Sequence, residues 1–152
     1  MKRSDTVGSP VRFRVEGDSM TPTLEDGQYV LLMPSFLHRG RLQRGDVVVF
    51  RQLTPPWGWF IKRVVGMPDE SIVLDGGRLY ADDLLLIPDY IPAGPDGKIN
   101  GNWWNGPDEY FVLGDNPARS TDSRAFGPVP ADRIIGRAWL RIWPPKEWGR
   151  VR

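Results

Sequence analysis

The sequence predicts a mostly β fold, taken as an antiparallel β-sheet or barrel-like core with a smaller β/loop insertion, and three observations carry its β character. Gly (17) and Pro (15) make up about a fifth of the 152 residues, too many breakers for long helices. The apolar runs are short and rich in Val, Ile, Tyr, Phe and Trp, the residues that fit a pleated, half-buried surface. Gly-Asp, Asp-Gly and Pro bound those runs, and these are the residues that turns between strands demand.

Strands are expected over residues 11–15, 29–33, 46–51, 59–65, 71–74, 78–80, 110–113 and 134–142. The first alternates apolar and basic residues (Val11-Arg12-Phe13-Arg14-Val15), the period of a half-buried strand. The second and third, Tyr29 to Met33 and Val47 to Phe50, are continuous apolar runs of strand length. The fourth carries Lys62 and Arg63 among aromatic and aliphatic residues. Asp75-Gly76-Gly77 separates the fifth from the sixth and is a strong hairpin signal. The seventh runs from Tyr110 into Gly114-Asp115, and the eighth from Ile134 to Ile142. A helix over residues 34–44 is a weak alternative, because no clean 3.6-residue period supports it.

From residue 88 to 107, Pro, Gly, Asp and Asn punctuate the chain, which reads as loop with Trp103-Trp104 embedded in it. Residues 67–108 are therefore expected to form an insertion sub-domain within a core spanning 11–145. Residues 1–10 and 146–152 are expected to be flexible termini.

Composition excludes several functions. A net charge of +1 gives no footprint for nucleic acid, so none is expected as a partner. With no cysteine there is no disulfide, thiol catalysis or Cys-type zinc site. His38 is the sole histidine, which removes His-cluster metal sites and most Ser-His-Asp schemes; no metal or cofactor is expected. The runs fall far short of the roughly 20 apolar residues that span a bilayer. Met1-Lys2-Arg3-Ser4-Asp5 starts basic but leads into no apolar stretch, unlike a signal peptide. The chain as given is expected to be soluble.

Three segments bear candidate chemistry. In Val15-Glu16-Gly17-Asp18-Ser19-Met20-Thr21-Pro22-Thr23-Leu24, a serine sits on a turn between apolar runs. Serine is a weak nucleophile until a base takes its proton, and a desolvated lysine can be that base. In Phe60-Ile61-Lys62-Arg63-Val64-Val65, strand alternation sets Phe60 and Val64 beside Lys62 and turns Ile61, Arg63 and Val65 away. A free lysine is neutral in only about four molecules per ten thousand at pH 7; burial against Phe60 and Val64 would raise that fraction. The third segment runs from Gly114 to Gly127. Its Ser120 offers a hydroxyl to orient a neutral amine, and Asp122 and Arg124 are spaced to pair locally. Each segment also has a plain reading: Ser19 as a turn residue, Lys62 snorkelling to water, and the third as a solvated turn.

Taken in order, Gly17-Asp18-Ser19-Met20-x-Pro22-Thr23-Leu24, Arg44-Gly45-Asp46-Val47-Val48-Val49-Phe50, Ile61-Lys62-Arg63-Val64-Val65-Gly66 and the box from Gly114-Asp115-Asn116 through Ser120, Asp122, Ser123, Arg124 and Gly127 resemble type I signal peptidase. The likeness extends to Ile135-Gly136-Arg137-Ala138 and Arg141-Ile142-Trp143-Pro144, covers about residues 13–145 and is weak only within 67–108. The resemblance implies a membrane-associated serine endopeptidase of mostly antiparallel β fold that removes signal peptides from exported preproteins after Ala-x-Ala-like residues. It implies Ser19 as nucleophile, Lys62 as general base and Ser120 as the hydroxyl that positions the lysine. Asp122, Arg124 and Asp115 would be supporting residues, and the Ser19 backbone N–H would hold the oxyanion. The implied partners are preprotein signal peptides and a lipid surface. The chain is expected to be a monomer, with its catalytic domain on the outer (trans) face of the cell membrane.

Two features depart from the family pattern. Gly17 stands where some members carry a serine that helps hold the oxyanion. The 18 residues before Ser19 are mostly polar and hold no long apolar run, where the family usually carries a membrane span, so either a span has been trimmed away or the chain docks without one. Among the seven tryptophans, Trp57 or the Trp103-Trp104 pair is expected to contact lipid, because Trp favours the headgroup region. Two rival functions stand beside this one. Self-cleaving repressors also use Ser-Lys, but usually carry a DNA-binding helical domain that this chain lacks. A non-catalytic β-domain could keep the scaffold to bind peptides.

Overall fold

The computed structural model describes residues 10–34, 42–88, 90 and 100–152. Residues 1–9 and most of the weak helical alternative over 34–44 lie outside the described residues. The strands are β1 (Val11–Arg14), β2 (Tyr29–Pro34), β3 (Val47–Gln52), β4 (Gly58–Gly66), β5 (Ser71–Asp75), β6 (Arg78–Ala81), β7 (Leu84–Ile87), β8 (Gly101–Trp104), β9 (Glu109–Leu113), β10 (Val129–Pro130), β11 (Ile134–Trp143) and β12 (Gly149–Arg150). One short helix, α1 (Ser123–Phe126), follows β9. The fold is mostly β, and every strand pairing is antiparallel.

The main sheet has the order β1-β2-β11-β3-β4-β9-β10, with β12 on β11. It is open rather than a closed barrel, because β1 and β10 end the path unpaired with each other. Both its faces are covered, which explains the continuous apolar run in β3. Val47 and Val49 join Val15, Met20, Leu24, Val30 and Leu32 in one core. Val48 and Phe50 face the other way, into a core with Val64, Val112 and Ile134.

The insertion forms a second sheet, ordered β7-β6-β5-β8. Asp75 pairs with Arg78 across Gly76-Gly77, whose positive φ values of 56° and 82° are those of a two-residue hairpin turn that only glycine adopts freely. This sheet buries Ile72, Leu74 and Leu79 against Val65, Phe111 and Leu113 of the main sheet.

Two expectations need correction. Residues 101–104, read as loop, are a strand: β8 completes β5 in register from Ser71↔Trp104 to Leu74↔Gly101, and Trp103 packs on Phe111 with ring centroids 4.8 Å apart. An available partner edge and a partly buried ring packed on the core outweigh the Gly/Asn composition there. Residues 146–152, read as a flexible terminus, are tied down. β12 pairs with β11, Val151 donates to the Trp139 carbonyl at 3.0 Å and packs on the core, and Glu147 accepts from the buried Gln28 at 2.6 Å.

Candidate active site

The Ser19 loop is pinned at both ends. Gly17 turns it at φ +78° and donates its N–H to Asp26 at 2.8 Å. Met20 and Leu24 sink fully into the core, and Leu24 N–H bonds the Met20 carbonyl at 2.9 Å. These anchors leave the Ser19 side chain half-buried above the sheet. A side chain at position 17 would meet nothing within 4 Å. The glycine therefore answers the backbone, since positive φ disfavours any residue with a Cβ, and not a lack of room.

β4 carries Lys62 to the same place. The side chain is buried at 3 % exposure; Nζ lies 2.9 Å from Ser19 Oγ and donates to the Ile61 carbonyl at 3.1 Å. The Phe60 ring lies 5.2 Å from the amine, and Val64 joins the core on Phe60's face while Ile61 joins the opposite one, as alternation requires. Burial pushes the lysine pKa down to about 8, and the nearby Asp122 carboxylate partly opposes this. A tenth or so of the amine is then neutral at pH 7, a gain of more than a hundredfold over a free lysine.

The loop after β9 closes the site from the other side. Asn116 N–H donates to the Ser19 carbonyl at 3.0 Å, and its side-chain amide donates to the Asp18 carbonyl and to Thr21 Oγ1. Asp115 takes the Arg63 guanidinium in a two-pronged bond, 2.8 and 2.6 Å, and accepts from Thr23 Oγ1 at 2.6 Å. It thus links the residue after Lys62 to the strand of loop after Ser19. Gly114 lies between the parts: a Cβ there would stand 2.1 Å from Ser120 Oγ and 2.6 Å from the Ser19 carbonyl oxygen. Its N–H donates to Asp122 at 3.0 Å.

Asp122 is the hub of the third segment. Its carboxylate is fully buried and caps α1 by accepting from Arg124 N–H. It also accepts from Arg124 Nε at 2.8 Å and Nη2 at 3.0 Å. Ser120 donates to it at 2.7 Å. Here the geometry differs from the expectation for Ser120. Its proton goes to Asp122, a charged and stronger acceptor than an amine, and the Lys62 amine bonds Ser19 Oγ and the Ile61 carbonyl rather than Ser120. Among the described residues no acceptor takes the Ser19 N–H, so that donor is available to an oxyanion.

Arg63, Asn116 and Tyr90 also belong to this site and went unassigned in the sequence. Arg63 was read only as facing away from Lys62, which it does; its partner is 52 residues distant, and no local spacing announces such a pair. Asn116 lies within the Gly114–Gly127 segment, where its residue type alone announces no role. Tyr90 donates to the Gly114 carbonyl at 2.5 Å from a stretch whose Pro-rich composition signals only loop. Among the described residues no cluster of three His, Cys, Asp or Glu side chains is arranged to hold a metal ion.

The family described as signal peptidase, peptidase S26, matches residues 7–143. The chain is 36% identical over 149 residues to a signal peptidase I of Leptolyngbya laminosa, covering 90% of this chain and 70% of that protein. It is 34% identical over 139 residues to the mitochondrial ATP-independent inner membrane protease subunit 1a of Arabidopsis thaliana, covering 91% of this chain and 73% of that one. A crystal structure of a signal peptidase I from Enterococcus faecalis V583 superposes with a TM-score of 0.53 at 28% identity, covering 63% of this chain and 95% of the other. The chain therefore belongs to the signal peptidase family, peptidase S26, and is a serine peptidase, a hydrolase.

Proposed function

We propose that this chain is an endopeptidase that cuts signal peptides from exported preproteins after Ala-x-Ala-like residues, with Ser19 as nucleophile and Lys62 as general base. The observation that carries this reading is the 2.9 Å approach of a buried lysine amine to Ser19 Oγ. Neutral Lys62 accepts the Ser19 proton as Oγ attacks the carbonyl carbon before the cut. The oxyanion accepts from the Ser19 N–H. The Lys62 ammonium returns its proton to the leaving amine, and the mature protein departs, leaving an ester on Ser19. Lys62 then takes a proton from water, whose oxygen attacks the ester, and passes that proton to the departing Ser19 Oγ, which frees the enzyme. Ser120, the hydroxyl expected to position the lysine, is itself held by Asp122, and Arg124 balances the Asp122 charge.

The reading includes a lipid surface as partner, a catalytic domain on the outer face of the cell membrane, and a monomeric chain. No described helix is long and apolar enough to cross a membrane. Trp57 is 70% exposed and Trp104 63%, in keeping with interfacial contact, whereas Trp103 spends its ring on Phe111. Liposomes should therefore shift the tryptophan emission to the blue, with the shift reduced in Trp57→Ala; an unchanged spectrum removes lipid from the proposal.

The decisive test is a peptide with an Ala-x-Ala junction, incubated with the protein in detergent or lipid beside Ser19→Ala and Lys62→Ala. The expected result is cleavage in trans by the wild type alone. Absence of cleavage overturns the reading, and cutting of only its own chain would assign the dyad to self-processing.

A further inference from the structure

The insertion reaches the candidate site through one buried side chain. Tyr90 follows β7, is 9% exposed and belongs to the core between the two sheets. Its N–H donates to the Gly77 carbonyl at 2.9 Å, so the tight Gly76-Gly77 turn fixes where its backbone lies. Its hydroxyl donates to the Gly114 carbonyl at 2.5 Å. Its ring lies 5.3 Å from the Arg124 guanidinium carbon, within cation–π range.

Both contacts end on parts that hold the dyad. Gly114 is wedged between the Ser19 carbonyl and Ser120 Oγ and donates to Asp122. Arg124 makes three bonds to that same carboxylate. The Asp122 charge in turn acts on the Lys62 amine and partly opposes the effect of its burial. The chain of contact therefore runs from the Gly76-Gly77 turn to Tyr90, and thence to Gly114 and Arg124.

We infer that Tyr90 is a positioning residue for the peptidase site: its hydroxyl fixes the Gly114 peptide against Ser19 and Ser120, and its ring holds Arg124 on Asp122. The inference rests on the Ser19–Lys62 reading and extends it by making the insertion part of the working site. The two contacts separate chemically. Removing the hydroxyl leaves the buried Gly114 carbonyl unbonded and lets that peptide drift, while the ring stays. Removing the ring as well loosens Arg124, leaves Asp122 less neutralised, and strengthens its pull on the Lys62 charge. The charged and titratable groups around this array are Asp122, Arg124 and Lys62 itself, with Arg63 and Asp115 paired to each other beside it.

Tyr90→Phe and Tyr90→Leu test it. For Tyr90→Phe, kcat on an Ala-x-Ala peptide should fall about tenfold, with KM within about twofold. In Tyr90→Leu the acid limb of the pH profile should also move to higher pH, and the Lys62 Cε resonance, followed by NMR, should titrate at higher pH than in wild type. Wild-type turnover by Tyr90→Phe, or loss of activity only in proportion to the unfolded fraction, overturns the proposal. So does an unmoved Lys62 titration in folded Tyr90→Leu. If the wild type cuts no such peptide, the function reading fails by itself. The Lys62 titration, with the Gly114 amide shift in Tyr90→Phe, then still decides the role of Tyr90.

Discussion

At the scale of the residue, Lys62 sets a cost against a use. A buried ammonium loses its hydration, and that loss, partly offset by Asp122, lowers its pKa from 10.5 to about 8. Below about pH 8 the side chain is charged in both the folded and unfolded chain, so the full penalty applies, on the order of 3 kcal/mol. Between pH 8 and 10.5 the unfolded chain binds the proton more tightly, so stability rises with pH and the penalty fades. Lys62→Met should thus abolish cleavage yet raise unfolding free energy at pH 7 by about 2–3 kcal/mol. In urea titrations that gain should shrink by pH 10.5; a destabilised variant at pH 7 would contradict the assigned burial cost. The same pKa predicts that kcat/KM climbs through about pH 8 as the amine loses its proton. A pH–rate profile already flat at pH 6 would deny lysine the role of base.

At the scale of the element, the loop that leaves β9 does most to build the site, and Gly114 is its tightest point. A methyl group there would have to displace the Ser120 hydroxyl and the Ser19 carbonyl, and the latter is backbone that cannot rotate aside. Gly114→Ala should lower kcat by about a hundredfold, the usual consequence of a misplacement near 1 Å, while circular dichroism still reports a folded chain. The contrasting case is the β5–β6 hairpin, where Gly77 sits at φ +82°. Gly77→Ala should cost about 1–2 kcal/mol, read by thermal unfolding. That hairpin was legible in the sequence because Asp75-Gly76-Gly77 is local chemistry: the residues that make the turn adjoin one another. β8 was not, since its strand character comes from the β5 edge and from Phe111, both contributed by distant segments. The site divides in the same way. Ser19, Lys62 and the 114–127 box announce themselves by residue type in sequence, while Arg63–Asp115 and Tyr90–Gly114 are meetings that only the fold arranges.

At the scale of the whole molecule, the two sheets share one core at Val65, Phe111 and Leu113, and Phe111 is its centre. It lies on β9, is fully buried and meets Trp103 of β8. Three residues further on, the same strand leads into Gly114, so the packing that joins the insertion to the core also aims the loop that closes on Ser19. A fold joined this way should unfold as one unit rather than sheet by sheet. Phe111→Ala removes the shared ring and should cost about 3–5 kcal/mol. Its denaturant transition should stay single, with tryptophan emission, which includes Trp103, coinciding with far-ultraviolet dichroism dominated by the main sheet. Were the fluorescence transition to separate and precede the other, the insertion would be a satellite that melts alone. Its Tyr90 could then not hold Gly114 while the main sheet stays folded, and activity should vanish at the first transition rather than the second.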